Sequence, residues 1–164
     1  MFTARHTVKS RADEVYRFTK NQIEYHHEQG HLVVFISGSP DFLVRHMAKM
    51  WNAHVYAGSK YVFKKGIFTG NIKPMWDSAS KLQIMGEIVD MHNIDLENSY
   101  AYGDTNGDFT MLQSVGHPYA INPARELLDN IAADEELSKK TTVIVERKDV
   151  IYSLKADVNT FERK

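Results

Sequence analysis

Leu32-Val33-Val34-Phe35-Ile36 runs directly into Ser37-Gly38-Ser39-Pro40. Five apolar residues in a row, mostly β-branched or aromatic and with no polar alternation, mark a strand covered on both faces, as in a parallel sheet. Glycine and proline then end the run. Upstream, Ala12, Val15, Phe18, Gln22 and Ile23 repeat near a helical period, predicting a helix from Ser10 to Gln29. Ser10 can cap its start, Glu14 lies in its first turn, and Gly30 stops it. Downstream, a second helix is expected from Asp41 to Trp51.

The same grammar continues. His54 to Ala57 reads as a short strand. Tyr61-Val62-Phe63 and Gly66 to Gly70 read as a small hairpin or flap (about 58–72) turning at Lys64-Lys65-Gly66. A helix is predicted from Ser78 to His92, a strand at Tyr100 to Tyr102, and a helix from Asp108 to Val115. A strand at Tyr119 to Ile121, a helix from Pro123 to Ala133 and a last strand from Thr141 to Val145 complete the pattern, followed by a polar tail. Strands alternating with helices predict an α/β fold, a three-layer, Rossmann-like parallel sheet. With no repeat or linker in view, one domain is expected over 1–164.

The 164 residues carry a formal net charge of −1, and 43% are hydrophobic. That balance points away from nucleic acid or an anionic membrane as the main partner. The absence of cysteine excludes disulfides, thiolate metal sites and a cysteine nucleophile. No apolar run reaches the roughly 20 residues of a membrane helix, and the first residues lack a signal-peptide core. The expectation is a soluble, cytoplasmic protein.

In open α/β sheets, ligands bind beyond the carboxyl ends of the strands. Ser37-Gly38-Ser39 stands at one such end: a hydroxyl, a glycine that lets backbone approach, and amides opening a helix can cradle phosphate. The same residues are also ordinary turn chemistry. Gly103-Asp104-Thr105-Asn106-Gly107-Asp108 stands at another end, with two carboxylates four residues apart able to face one hard cation. An Asx turn with Asp108 as a helix cap explains them equally. Lys81, early in a helix, would by itself be a solvated lysine.

In order, Phe35 to Pro40, then Lys81, then Gly103 to Asp108 resemble the haloacid dehalogenase superfamily of phosphatases, in its phosphoserine-phosphatase-like branch. Gly66 to Ile72, Asp108 to Leu112 and Ala120 to Pro123 fit the same branch, so the likeness runs from Ser10 to Val145. The resemblance implies hydrolysis of a small phosphorylated metabolite with Mg²⁺ through an aspartyl-phosphate. By the same likeness, Ser37 and the Gly38 amide would hold a phosphate oxygen, and Lys81 would offset charge. Asp104 would bind Mg²⁺ directly, and Asp108 would bind it through water or orient Asp104. Catalysis of this kind rests on positioning and charge neutralisation.

One departure outweighs these matches. The superfamily's first motif, Asp-x-Asp, supplies the attacking and acid/base aspartates, and no Asp-x-Asp occurs in this sequence. Without the nucleophile, no turnover is expected from this chain alone. The motif's strand belongs between the strands ending at Ser37 and Asp104, so the expected sheet lacks its central strand and most of a helical cap, with a cap remnant at about 1–10. Unpaired strand edges favour self-association or a complementing chain. Three explanations stay open: a truncated product, a strand from another chain, or Phe2 to Val8 partly filling the place. A non-catalytic binding or assembly role is the alternative function. His26, His27, His46, His54, His92 and His117 read as surface or packing residues, as do Trp51, Trp76, Arg45 and Lys60. Tyr61, Phe63 and Phe68 read as flap packing, with a substrate-facing role open for some of them.

Overall fold

A computed structural model describes residues 15–158. The chain folds as two compact units, Met1–Trp76 and Asp77–Lys164. The cap remnant, the Ser10 cap and the proposed use of Phe2 to Val8 lie outside the described residues.

In the first unit, α1 (Arg17–Glu28) ends at Gly30, whose φ of +72° is the left-handed conformation that glycine adopts without cost. β1 (Val34–Pro40) starts two residues later than expected and carries through Ser37 to Pro40. It leads into α2 (Asp41–Met50) and lies parallel to β2 (Val55–Lys64). Val44 and Ala48 are the buried side chains of α2. The two separate strands expected at His54–Ala57 and Tyr61–Phe63 are one ten-residue strand. Its first half pairs with β1 and its second half pairs antiparallel with β3 (Ile67–Lys73). It stays continuous because Gly58 and Ser59 are buried where β2 passes the start of α2. A Cβ on Gly58 would stand 2.8 Å from the Asp41 Cα and 2.9 Å from the Ser39 carbonyl oxygen. The β2–β3 turn puts Lys65 (φ +49°) and Gly66 (φ +80°) both at positive φ, as tight two-residue hairpins require.

Histidines stitch this unit together. His54 Nδ1 accepts the Val33 N–H at 2.9 Å, and His27 Nε2 donates to the Trp51 carbonyl at 2.9 Å. The Nδ1 atoms of His26 and His31 lie 2.9 Å apart. For His26 and His27 this is the packing role expected, and His31 joins them with no local pattern to mark it.

In the second unit, α3 (Ser78–His92) is followed by a four-stranded sheet in the order β4-β5-β6-β7. β4 (Tyr100–Gly103), β5 (His117–Ile121) and β6 (Thr142–Glu146) are parallel. The expected sheet ends at β6, with a polar tail beyond it. Instead β7 (Ile151–Lys155) folds back antiparallel. Its short length and mixed polarity hid it, and only Leu154 among its side chains is not exposed. The expected helix from Asp108 to Val115 is a 3₁₀ turn, Asn106–Asp108, leading into α4 (Phe109–Gln113). The expected helix to Ala133 is α5 (Arg125–Ala133), and a distinct α6 (Glu135–Lys140) follows. Asp134 separates them by capping α6, its side chain accepting the Leu137 N–H at 2.9 Å. Leu112, Leu127, Ile131 and Leu137 from these helices pack with Ala101, Ala120 and Val143 of the sheet into one core.

Two outcomes follow for stability. Gly58→Ala is expected to cost about 1–3 kcal/mol by overpacking, read as a lowered urea midpoint. His26 titrates below the ordinary histidine value, first because it is buried and then because His31 and His27 carry like charge. A neutral imidazole favoured by folding contributes stability above the ordinary histidine pKa that is lost as protons bind the unfolded chain below it. Thermal midpoints should therefore fall on acidification from about pH 7 to about pH 5, and His26→Gln should flatten that profile.

Candidate functional site

Ser37 lies opposite Gly58, where the regular β1–β2 register ends before a shift that brings Pro40 opposite Ser59. Its Oγ accepts the Ser39 N–H at 3.2 Å, which leaves the hydroxyl proton for another acceptor. Gly38 is fixed through its carbonyl, which accepts from the Ser59 hydroxyl at 2.8 Å. Ser59 is fully buried, and its oxygen also takes the Met75 N–H at 3.0 Å. A side chain on Gly38 would press on Trp76, whose Cβ lies 3.1 Å from the place of the missing Cβ. Sequence reasoning missed Ser59. A serine between a glycine and a lysine looks like a turn, and only the strand pairing shows that it faces inward.

The second unit brings Lys81, Asp104 and Asp108 together. Asp77 caps α3 by accepting the Ser80 N–H at 2.7 Å. Ser78 Oγ donates to the Asn106 carbonyl at 2.8 Å, and Thr110 Oγ1 donates back to the Ser78 carbonyl at 3.1 Å. These bonds clamp the helix start to the acidic turn. One turn further on, Lys81 Nζ meets Asp108 Oδ1 at 2.5 Å, with both side chains less than a tenth exposed. Lys81 is thus not the solvated lysine that it would be by itself. Asp108 Oδ2 accepts the N–H groups of Asp104 (3.1 Å) and Thr105 (3.2 Å) and the Thr105 hydroxyl (3.3 Å). Gly103 makes this fold-back feasible, because a Cβ there would stand 2.5 Å from the Asp108 Cβ.

Asp104 is the complement. It is exposed, and although its backbone carbonyl accepts the Ala124 N–H at 2.8 Å, its carboxylate accepts from its own backbone N–H and from no other described residue. Its carboxyl is held above the ordinary carboxylate range, mainly by partial burial and then by the Asp108 charge, with Lys81 pulling the other way. A carboxylate short of donors beside a second negative charge suits a divalent cation, whose charge would relieve both effects. Asp108 has no such need, since Lys81 and three donors already meet its oxygens. Its fit is to orienting the turn or binding through water. Among the described residues no three histidines or acids gather at one point, so these two acids do not complete a coordination shell.

The chain as a whole has known relatives. The model of the haloacid dehalogenase-like hydrolases matches residues 4–113, and the chain belongs to that family. The inhibition of morphological differentiation protein of Streptomyces azureus is 34% identical over 114 residues, covering 69% of this chain and 41% of its own. A probable phosphatase of Mycobacterium tuberculosis is 31% identical over 98 residues, 60% of this chain and 34% of its own. The chain thus spans well under half the length of the curated relatives it matches. Among solved structures, a phospho-aspartyl intermediate analogue of phosphoserine phosphatase aligns over 79% of this chain and 58% of its own, at a TM-score of 0.60 and 21% identity. A hydrolase of the same family from Salmonella enterica aligns over 77% and 44%, at a TM-score of 0.65 and 19% identity. These structures establish the fold as the α/β, Rossmann-like type read from the sequence.

Lys81→Met should cost about 3 kcal/mol in chemical denaturation, because it strands a buried carboxylate. Asp104→Asn should do the reverse. At neutral pH it removes a like charge beside Asp108 and should stabilise the protein by about 0.5 kcal/mol, the modest size of a solvent-screened interaction. The gain should vanish as pH falls below the ordinary carboxylate pKa, where Asp104 is protonated in the folded and unfolded states alike.

Proposed function

We propose that this chain carries the phosphate- and cation-binding part of a Mg²⁺-dependent phosphomonoester hydrolase acting on a small phosphorylated metabolite. The observation that carries the reading is the division of labour between the two acids: Asp108 fully engaged by Lys81 and the turn, Asp104 exposed and short of donors. Family membership and the probable phosphatase of Mycobacterium tuberculosis support it. Asp104 is the direct Mg²⁺ ligand and Asp108 its positioning partner. Lys81 holds Asp108 and supplies positive charge, and Ser37 with the Gly38 amide binds a phosphoryl oxygen. Bound Mg²⁺ would supply charge neutralisation at the phosphoryl group.

The attacking aspartate is not among these 164 residues. The 164-residue chain should accordingly bind Mg²⁺ without turning over substrate. Calorimetry should show Mg²⁺ raising the thermal midpoint, with Asp104→Asn abolishing the shift, while aryl phosphates remain unhydrolysed. Hydrolysis should appear when a segment bearing Asp-x-Asp is supplied. Mg²⁺ binding indifferent to Asp104 would overturn the site. Turnover by the chain alone, lost in Asp104→Asn, would show that another residue attacks phosphorus.

A second reading, an assembly role, rests on a different observation. Among the described residues β1 is bonded only to β2, which leaves one of its edges without a sheet partner. Such edges take up extended segments from a second copy or another chain.

A further inference from the structure

The β2–β3 hairpin segregates charge in a way that the net charge of −1 conceals. Val55 to Lys73 contains Lys60, Lys64, Lys65 and Lys73 and no acid. All four lysines are exposed, and none makes an ion pair among the described residues. Register places Lys60 opposite Lys73 and Lys64 opposite Ile67 on one face, and Tyr61 opposite Ile72 and Phe63 opposite Phe68 on the other. The aromatic face is a continuous row. Phe42 of α2 meets Tyr61 at 5.9 Å between ring centres, Tyr61 meets Phe68 at 5.6 Å, and Phe68 meets Phe63 at 5.7 Å. The row begins on the body of the unit and runs outward, so exposure rises along it: Phe68 is 43% and Phe63 51% exposed, and Ile67 beside the turn reaches 74%.

An end that is apolar on both faces and ringed by unpaired ammonium groups matches one kind of partner in both respects. Apolar side chains enter the boundary of a bilayer while lysines reach back to anionic headgroups. A stacking platform for single-stranded nucleic acid would instead put its cations beside its rings, and aliphatic Ile67 offers no π-face. No described helix is long and apolar enough to cross a membrane, so the contact would be peripheral. We propose that the tip of the β2–β3 hairpin, Phe63 to Phe68, docks this protein on anionic lipid surfaces, with Phe63, Ile67 and Phe68 inserted and Lys60, Lys64, Lys65 and Lys73 on the headgroups.

Co-sedimentation of the full chain with vesicles of phosphatidylcholine plus phosphatidylserine, against phosphatidylcholine alone, tests this. Binding is expected only to the anionic vesicles, weakening with added salt. Lys64→Glu with Lys65→Glu should weaken it more than about tenfold, given roughly fivefold for each lysine near such a surface. Ile67→Ser should weaken it about tenfold through lost apolar burial. These positions are exposed, so unchanged melting curves would separate lost binding from lost folding. No binding to anionic vesicles, or binding indifferent to these substitutions, overturns the proposal. So does a hairpin-dependent interaction found only with a single-stranded oligonucleotide or a second copy of the chain, which would reassign the surface.

Discussion

The buried pair between Lys81 and Asp108 organises the candidate site of the second unit. Taking both charges out of water costs several kcal/mol per ion before their attraction repays it, so the pair is poor evidence of net stability. What it does is fix position. Lys81 comes from the early part of α3 and Asp108 from the turn after β4, and one contact locks the two elements in register. The Ser78 and Thr110 bonds hold the same junction from both sides. Neutralising Asp108 internally leaves Asp104 as the acid facing solvent.

The first unit reaches comparable rigidity with neutral groups. Ser59 sits at the middle of β2 and grips both the Gly38 carbonyl and the Met75 amide, so the Ser37-Gly38 backbone is held from beneath by a strand rather than by its own turn. Gly58 lets that strand pass close under the start of α2. Beyond this crowded point β2 leaves β1, takes β3 as its partner, and carries its apolar side chains outward. One strand therefore supports the Ser37-Gly38 backbone at one end and projects an amphipathic tip at the other.

How much of this could be read from the sequence follows from how local the signals are. β1, α2 and α3 were legible because an apolar run, a proline-led start and a helical period are each contained in a few residues. β7 and the continuity of β2 were not, because both depend on pairing with distant residues that a one-dimensional pattern does not contain. The site divides the same way. Asp104, Asp108, Lys81, Ser37 and Gly38 could be singled out from motif order and chemistry. That Lys81 is buried against Asp108, that Ser59 pins Gly38, and that His31 meets His26 are facts of tertiary contact. The sequence sums charge over the whole chain; only the hairpin register sorts lysines from aromatics.

The absence of Asp-x-Asp from these residues is compatible with a well-formed arrangement of Lys81, Asp104 and Asp108, for a physical reason. In many metal sites the acids repel one another until the ion arrives, and the unliganded loop has no reason to hold its shape. Here the geometry is held by protein atoms alone. Asp108 has a cation and three hydrogen-bond donors from its own unit, so its position requires neither Mg²⁺ nor a nucleophile. Of the two acids Asp104 carries the unrelieved charge, and partial exposure to water keeps its cost modest. The proposed binding is therefore separable from attack in this architecture: the Lys81–Asp108–Asp104 arrangement is held together in a stretch of chain without Asp-x-Asp.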